Sequence, residues 1–283
     1  MLPLSAWPAA ERRGIVGVFT DIDDTLTTEG AITPDALDAL ARLKQAGLHV
    51  VAITGRPVGW CQRFVAPGTA WPVDCIVAEN GAVALPGAAF AAKDSGQIGS
   101  WPIQNAHRQL SNLYQQNAAQ RVANAARMQT VATRVLRELP GVTLSRDAAG
   151  RETDLAFDYA EFANLPAAVV QQVVALLQAE GMHTTVSSIH IHGCFGQFDK
   201  WRGACWIARE LWGVGLAQAL PHWVFVGDSG NDQAMFQHFT HSVGVANIAR
   251  FLPALAYRPR YVTEAERGSG FAEVASALLQ SRR

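Results

Sequence analysis

Carboxylates define the chemistry open to this chain. Two acidic clusters, Asp21-Ile22-Asp23-Asp24-Thr25 and Gly227-Asp228-Ser229-Gly230-Asn231-Asp232, stand near opposite ends of the sequence. A carboxylate such as Asp21 can attack phosphorus and form an aspartyl-phosphate, splitting one hard displacement into two easier ones. The obstacle is that an anion must approach a dianion. A divalent cation held by Asp21 and Asp228, with an ammonium such as Lys200 nearby, removes most of that repulsion. Mg²⁺ suits such a donor set, because it takes oxygen ligands, few protein carboxylates and substrate phosphate. Asp23 can turn back over the site, protonate a leaving oxygen and later deprotonate the attacking water. Thr54 and Gly55 offer a hydroxyl and an unhindered backbone N–H to phosphate oxygens. Asn231 and Asp232 can hold metal-bound waters and orient Lys200.

These groups meet only if the fold brings them together. Four apolar runs, 14–19, 48–53, 75–78 and 223–226, each lead into such a group: Asp21, Thr54-Gly55-Arg56, Glu79-Asn80-Gly81 and Asp228. Unbroken runs of this kind are expected of strands covered on both faces in a parallel sheet. Such sheets bind ligands outside the carboxyl ends of their strands. Between the first two runs, Thr33-Pro34-Asp35 starts a helix, Leu37, Leu40 and Leu43 fall on one face, and Gly47 stops it. That makes a right-handed βαβ unit.

The pattern changes after residue 84. Residues 86–102 read as loop and 105–139 as one or two helices. Residues 152–159 and 184–192 alternate like half-exposed strands, flanking a helix at 166–179. The buried pattern resumes after Phe198 with a helix at 204–211, the strand at 223, a short strand at 242–245 and a helix at 271–279. These patterns describe an α/β protein: a Rossmann-like parallel-sheet core made of 1–86 and 197–283, with an α+β cap domain for substrate selection, 87–196, inserted between.

Composition narrows the function. The chain has 283 residues, 49% of them apolar, and a formal charge of −1 without a basic block. A nucleic-acid partner is therefore not expected. No apolar stretch approaches the roughly 20 residues of a membrane helix. Glu11-Arg12-Arg13 stand where a secretory signal has its apolar core, so the chain reads as carrying no export signal. Four cysteines without a C-x-x-C pair fit free thiols in a cytoplasmic protein. The expected partner is a small-molecule phosphate ester; no oligomeric state is specified.

Taken together, Asp21 to Thr27, Ile53-Thr54-Gly55-Arg56, Glu79-Asn80-Gly81-Ala82, Lys200 and Gly227 to Asp232 resemble the haloacid-dehalogenase-like phosphatases. The likeness is to the branch whose cap is inserted between the second and third motifs, which includes Cof-type sugar phosphatases, sucrose-phosphate phosphatase, mannosyl-3-phosphoglycerate phosphatase and phosphomannomutase. The resemblance implies that Asp21 is the nucleophile and Asp23 the acid/base, with Asp23 also on Mg²⁺ through its carbonyl. Asp228 then completes the protein ligands, and Thr54 and Lys200 hold the phosphate. Asn80 would face the substrate, and Arg56 would contact substrate or cap a helix.

Two departures from the pattern stand out. Asp24 takes a place where many members have Gly, and Trp201-Arg202 separate Lys200 from Gly203, where many have Lys-Gly directly. Lys93 is the other lysine to consider. The expected activity is a Mg²⁺-dependent phosphomonoesterase acting on a small phosphorylated metabolite, a sugar phosphate foremost. The alternatives are a phosphohexomutase and a non-catalytic phosphosugar sensor.

Other groups have plainer readings. His190 and His192 alternate on one strand face without a third metal ligand at suitable spacing, which fits a cap surface. Asp154 and Asp158 fit an exposed strand face as well as sugar contacts. Arg127 and Arg134 fit a solvated helix face. Trp60 and Trp201 fit packing or sugar stacking.

Overall fold

The apolar runs become neighbouring strands. The structure, a computed structural model, describes residues 1–87 and 111–282. In spatial order, Leu2–Pro3, Tyr261–Val262, His241–Gly244, Trp223–Gly227, Gly17–Thr20, His49–Ile53 and Cys75–Ala78 run parallel. Antiparallel Val83–Pro86 and Leu113–Tyr114 complete this sheet. Phe19 stands between Phe225 and Val51 in register. The segments that follow these strands therefore leave the sheet along one edge, which carries Asp21, Thr54 and Asp228.

Side-chain alternation explains the two covering layers. Val18, Val50 and Val224 pack with Leu40, Leu43, Phe271 and Val274, which come from helices Pro34–Gln45 and Arg267–Gln280. Phe19, Val51 and Phe225 pack on the other side with Ile207, Leu211 and Met235, from helices Lys200–Trp212 and Gln233–His238. Each such side chain contributes about 1.5–3 kcal/mol when fully buried. Leu37 is an exception to the expected helix face: it is 39% exposed, and Ala36 and Ala39 are buried instead.

A second, antiparallel sheet has the order His183–Val186, His190–Cys194, Asp154–Asp158, Thr143–Leu144. Helices Ala118–Glu138 and Ala167–Ala179 cover one face, with Val131, Val135, Val173 and Leu177 against Phe157 and Ile191. Three expectations change here. The run 184–192 is a hairpin rather than one strand, because residues 187–189 turn between its two arms. Its return arm and most of 154–158 are buried, since the polar face lies against the first sheet's ligand edge. The helix expected from 105 starts at Ala118, after Leu113–Tyr114 has paired with the large sheet; residues 105–110, the 86–102 loop beyond 87, and Lys93 lie outside the described residues.

The helix expected at 204–211 begins earlier, at Lys200, where Asp199 Oδ1 accepts from Arg202 N at 2.7 Å. Trp201-Arg202 is thus the helical turn that sets Gly203 one turn beyond Lys200. Gly203 lies against Gly81: a Cβ on Gly203 would come 2.5 Å from Gly81 Cα, and Gly81 itself has φ +110°. This close approach fixes the Lys200 turn against the loop carrying Asn80. Gly203→Ala should therefore cost about 1–3 kcal/mol by overpacking, measured as a fall in urea unfolding free energy. An unchanged value would mean that the contact is slack.

Candidate active site

Lys200 occupies the centre of the edge. It is fully buried, and its Nζ lies 2.7 Å from Asp21 Oδ1 and 2.7 Å from Asp232 Oδ1. The strand ends deliver the partners: Asp21 N donates to Val226 O at 2.9 Å, tying the first acidic loop to the strand before Asp228. Asp232 is held by more than Lys200. Its Oδ2 accepts from Asp228 N at 2.8 Å and Ser229 N at 3.0 Å, which closes the turn into a short helix. Asp228 Oδ2 accepts from Asn247 Nδ2 at 3.2 Å, while its buried Oδ1 has no partner among the described residues.

Burial dominates the electrostatics. It pushes the Asp21 carboxyl up to about 7, with Asp232 adding to the rise and Lys200 opposing it. Asp228 is driven well above the carboxylate range by burial and by the Asp21 and Asp232 charges. For Lys200 burial acts downward, but Asp21 and Asp232 overcome it and the ammonium is retained. Replacing a buried ionic group by apolar residues of similar volume is often neutral or stabilising, so such a cluster points to function rather than stability.

Asp21, Asp228 and Asp232 each bring a carboxylate oxygen within 4.8 Å of the others. Asp232 has both oxygens engaged, whereas Asp228 Oδ1 is an orphan and Asp21 Oδ2 receives no hydrogen bond among the described residues. An oxygen-seeking divalent cation fits that unfilled pair, with Asp232 fixing Lys200 and the loop. The Asp23 carboxylate stands apart from this trio. It is gripped by Arg56, with Nε 3.0 Å from both oxygens and Nη2 2.8 Å from Oδ1.

Arg56 neither caps a helix nor lies free for a ligand. Its Nη2 also reaches Glu161 Oε1 at 2.7 Å and its Nη1 Asp147 Oδ2 at 3.3 Å, so the core loop is tied to the inserted segment. Trp60 lies beneath it, 5.1 Å from the guanidinium, packed on Phe64 and Trp71. Trp201 stacks on His238 and packs on Phe239. Neither tryptophan lines the cleft, and packing is their role.

The cleft itself is lined by Asp21, Asp23, Thr54 and Gly55 below and by Ser188 and His192 above. Thr54 Oγ1 accepts from Arg56 N at 3.0 Å, which leaves its O–H for an acceptor in the cleft. Asn231 Nδ2 donates to Asn80 Oδ1 at 3.0 Å. Asn80 and Glu79 sit at φ 52° and 50°, a left-handed turn that Asn accepts more readily than most residues. Asp24 has φ 55°, which accounts for glycine being a natural occupant there, and Arg267 (3.1 Å) and Arg250 (3.8 Å) balance its charge.

The polar residues of the second sheet are buried and paired rather than solvated. His192 Nδ1 is 2.9 Å from Asp154 Oδ2, and His190 Nε2 is 2.8 Å from Glu161 Oε2. Asp158 receives Glu161 N and Phe162 N. Of the helix arginines, Arg134 pairs with Glu138 and Glu180, and Arg127 lies over the Phe195 ring.

Several site residues escaped the sequence reading. Asn247 follows strand His241–Gly244 on the same edge and joins Asp228 to the Asp24 carbonyl at 3.0 Å. Extending the strand-end rule by one strand would have found it. Arg151 is buried and binds Gly55 O, Asp154 and Asp147. Glu79 accepts from Thr153 N at 2.6 Å and Thr153 Oγ1 at 2.5 Å, another tie between the two sheets. No local pattern announced Arg151, and the Glu79 strand-end position did not announce its partner Thr153.

Residues 18–131 match the model of the haloacid dehalogenase-like hydrolases. The likeness to that family lies in this stretch. The fold agrees throughout. A Thermoplasma acidophilum protein superposes with a TM-score of 0.67 at 15% identity, covering 94% of this chain and 98% of that one. A Synechocystis sucrose-phosphatase, solved with sucrose and phosphate, gives 0.62 at 13% identity over 94% and 98%. A Bacteroides thetaiotaomicron phosphatase of the same superfamily gives 0.56 at 17% identity over 99% and 98%. No curated protein matches the sequence. Among the described residues of the chain, no helix is long and apolar enough to cross a membrane.

The buried carboxylates set a pH dependence for the metal-free protein. Asp21 and Asp228 bind protons more tightly folded than unfolded, so their stabilisation is full below about pH 3.8; that of Asp21 is lost as pH rises through about 7, and that of Asp228 is lost in the same direction. In chelator-treated protein, Asp228→Asn should raise unfolding free energy at pH 8 by on the order of 1–3 kcal/mol and much less at pH 5. Urea denaturation at both pH values checks this. Destabilisation at pH 8 would contradict it.

Proposed function

We propose that this chain is a Mg²⁺-dependent phosphatase of small phosphorylated metabolites, sugar phosphates foremost, working through an aspartyl-phosphate on Asp21. The observation that carries the reading is Lys200 bridging Asp21 and Asp232 beside the orphan oxygen of Asp228. The sucrose-phosphatase likeness supports the substrate class.

Asp21 and Asp228 would hold the Mg²⁺, with the Asp23 carbonyl as the third protein ligand. When bound, Mg²⁺ supplies positive charge to the phosphate oxygens and to the attacking carboxylate. Thr54 O–H and Gly55 N–H receive phosphate oxygens, and Lys200 balances the charge of phosphate and Asp21. The Asp21 carboxylate forms a bond to phosphorus while the ester P–O bond breaks. Asp23 gives its proton to the leaving oxygen. Water then attacks phosphorus, passes a proton to Asp23, and Asp21 leaves as inorganic phosphate is released. Arg56, which grips both Asp23 oxygens, has to release one of them for Asp23 to carry that proton. The second sheet excludes bulk water above the site.

A phosphate-release assay over phosphorylated sugars, with and without Mg²⁺, tests this. Asp21→Asn should lower turnover by roughly 10³-fold or more, and Asp23→Asn by about 10²–10⁴-fold. Asp21→Asn working at the wild-type rate would refute the mechanism. Accumulation of an isomeric hexose phosphate in place of free phosphate would make the protein a mutase.

A further inference from the structure

Two buried polar atoms beside the catalytic edge have no partner among the described residues. His192 Nε2, from the cap strand, and Asn80 Nδ2, from the core loop, belong to residues only 3% and 4% exposed. Both approach Gly55. A Cβ there would stand 2.9 Å from His192 Nε2 and 3.3 Å from Asn80 Nδ2. Glycine at this position lets both side chains pack this close to the backbone, and both residues line one small cavity with Glu79 and Asp154. The place adjoins the proposed phosphate-binding residues Thr54 and Gly55, and His192 lines the same cleft as Asp21.

The chemistry of the pair is defined by what lies behind it. Arg151 Nη1 donates to both Asp154 oxygens, at 2.8 and 3.1 Å, and to Gly55 O at 3.0 Å. The Asp154 carboxylate thereby stays an acceptor, and His192 Nδ1, 2.9 Å from it, is the protonated ring nitrogen. Burial, with Arg151 and His190 nearby, keeps the ring neutral. His192 Nε2 therefore presents a lone pair. Asn80 has its oxygen occupied by Asn231 Nδ2, which orients its amide N–H toward the open side.

An acceptor and a donor side by side do not suit a phosphate oxygen, because the lone pair on Nε2 would face an anion. They suit one hydroxyl, which donates to Nε2 and accepts from Nδ2. We infer that His192 and Asn80 form a hydroxyl-binding subsite that selects phosphate esters of polyols. The inference rests on the phosphatase reading for the position of the phosphate. Leaving a group of this kind unpaired in a buried site disfavours analogues that lack the hydroxyl.

Calorimetric titration of the full-length protein in Mg²⁺ with a hexose 6-phosphate and its single-deoxy analogues tests the subsite without altering the protein. One deoxy analogue should bind the wild type about tenfold more weakly than the parent. In His192→Ala, and separately in Asn80→Gly, which suits the left-handed backbone, parent and that analogue should bind alike, while phenyl phosphate affinity stays within about twofold. Equal binding of every deoxy analogue to the wild type would overturn the subsite. So would an unchanged parent-to-analogue ratio in both variants, or no hexose phosphate binding at all. Phosphate release measured in the same wild-type samples judges the phosphatase reading separately: binding without release would sink that reading and leave the subsite standing.

Discussion

A single buried ammonium organises this molecule's functional edge. Lys200 is fully buried and holds two carboxylates from separate loops at equal distance. Asp21 and Asp232 would repel each other in such a place without it, and Asp228 adds a third negative group within reach. The cation makes the concentration of acid tolerable, but one ammonium cannot neutralise three carboxylates. The remaining charge is what a divalent cation would offset on the proposed reading, and it adds to burial in raising the Asp21 and Asp228 carboxyls.

The architecture serves that constraint. Parallel strands covered on both faces place Asp21, Thr54 and Asp228 on one edge, and the helix that starts at Lys200 points its first residue back toward them. The Gly81–Gly203 approach fixes that helix against the Asn80 loop. A second ring of charge then joins the two sheets: Arg56 to Asp23, Glu161 and Asp147; Arg151 to Gly55 and Asp154; Glu79 to Thr153. Arg56, which steadies the Asp23 carboxylate, is itself steadied by Asp147 and Glu161 of the inserted segment. On the proposed reading this would couple substrate selection to the acid/base.

Much of this was legible in the residues. Buried Val/Ile/Phe runs announce parallel strands because both faces must be apolar, and the polar residues just beyond them then have one edge to share. The Asp21 and Asp228 gathering followed from that rule, and Asn247 would have followed from applying it once more; Lys200, which no strand delivers, came from the need for an ammonium and from the family resemblance. What stayed hidden depends on long-range pairing. Alternation in 152–159 and 184–192 correctly marked a polar face, yet alternation is identical whether that face meets water or another sheet. Asp154, Asp158, His190 and His192 therefore looked exposed. Arg151 and Glu161 carry no local signature, since their partners come from distant segments. The start of the Lys200 helix was missed because Asp199 caps it within a sequence that has no other helical signal.

The central claim is that Asp21, set against Lys200 and a divalent cation, takes the phosphoryl group covalently. Acid quenching during turnover of a radiolabelled phosphate ester in Mg²⁺, followed by peptide mapping, tests it most directly. The label should appear on the peptide containing Asp21, be discharged by hydroxylamine as an acyl phosphate is, and be absent from Asp21→Asn. Release of labelled phosphate with no labelled peptide, or label on another residue, would contradict the account.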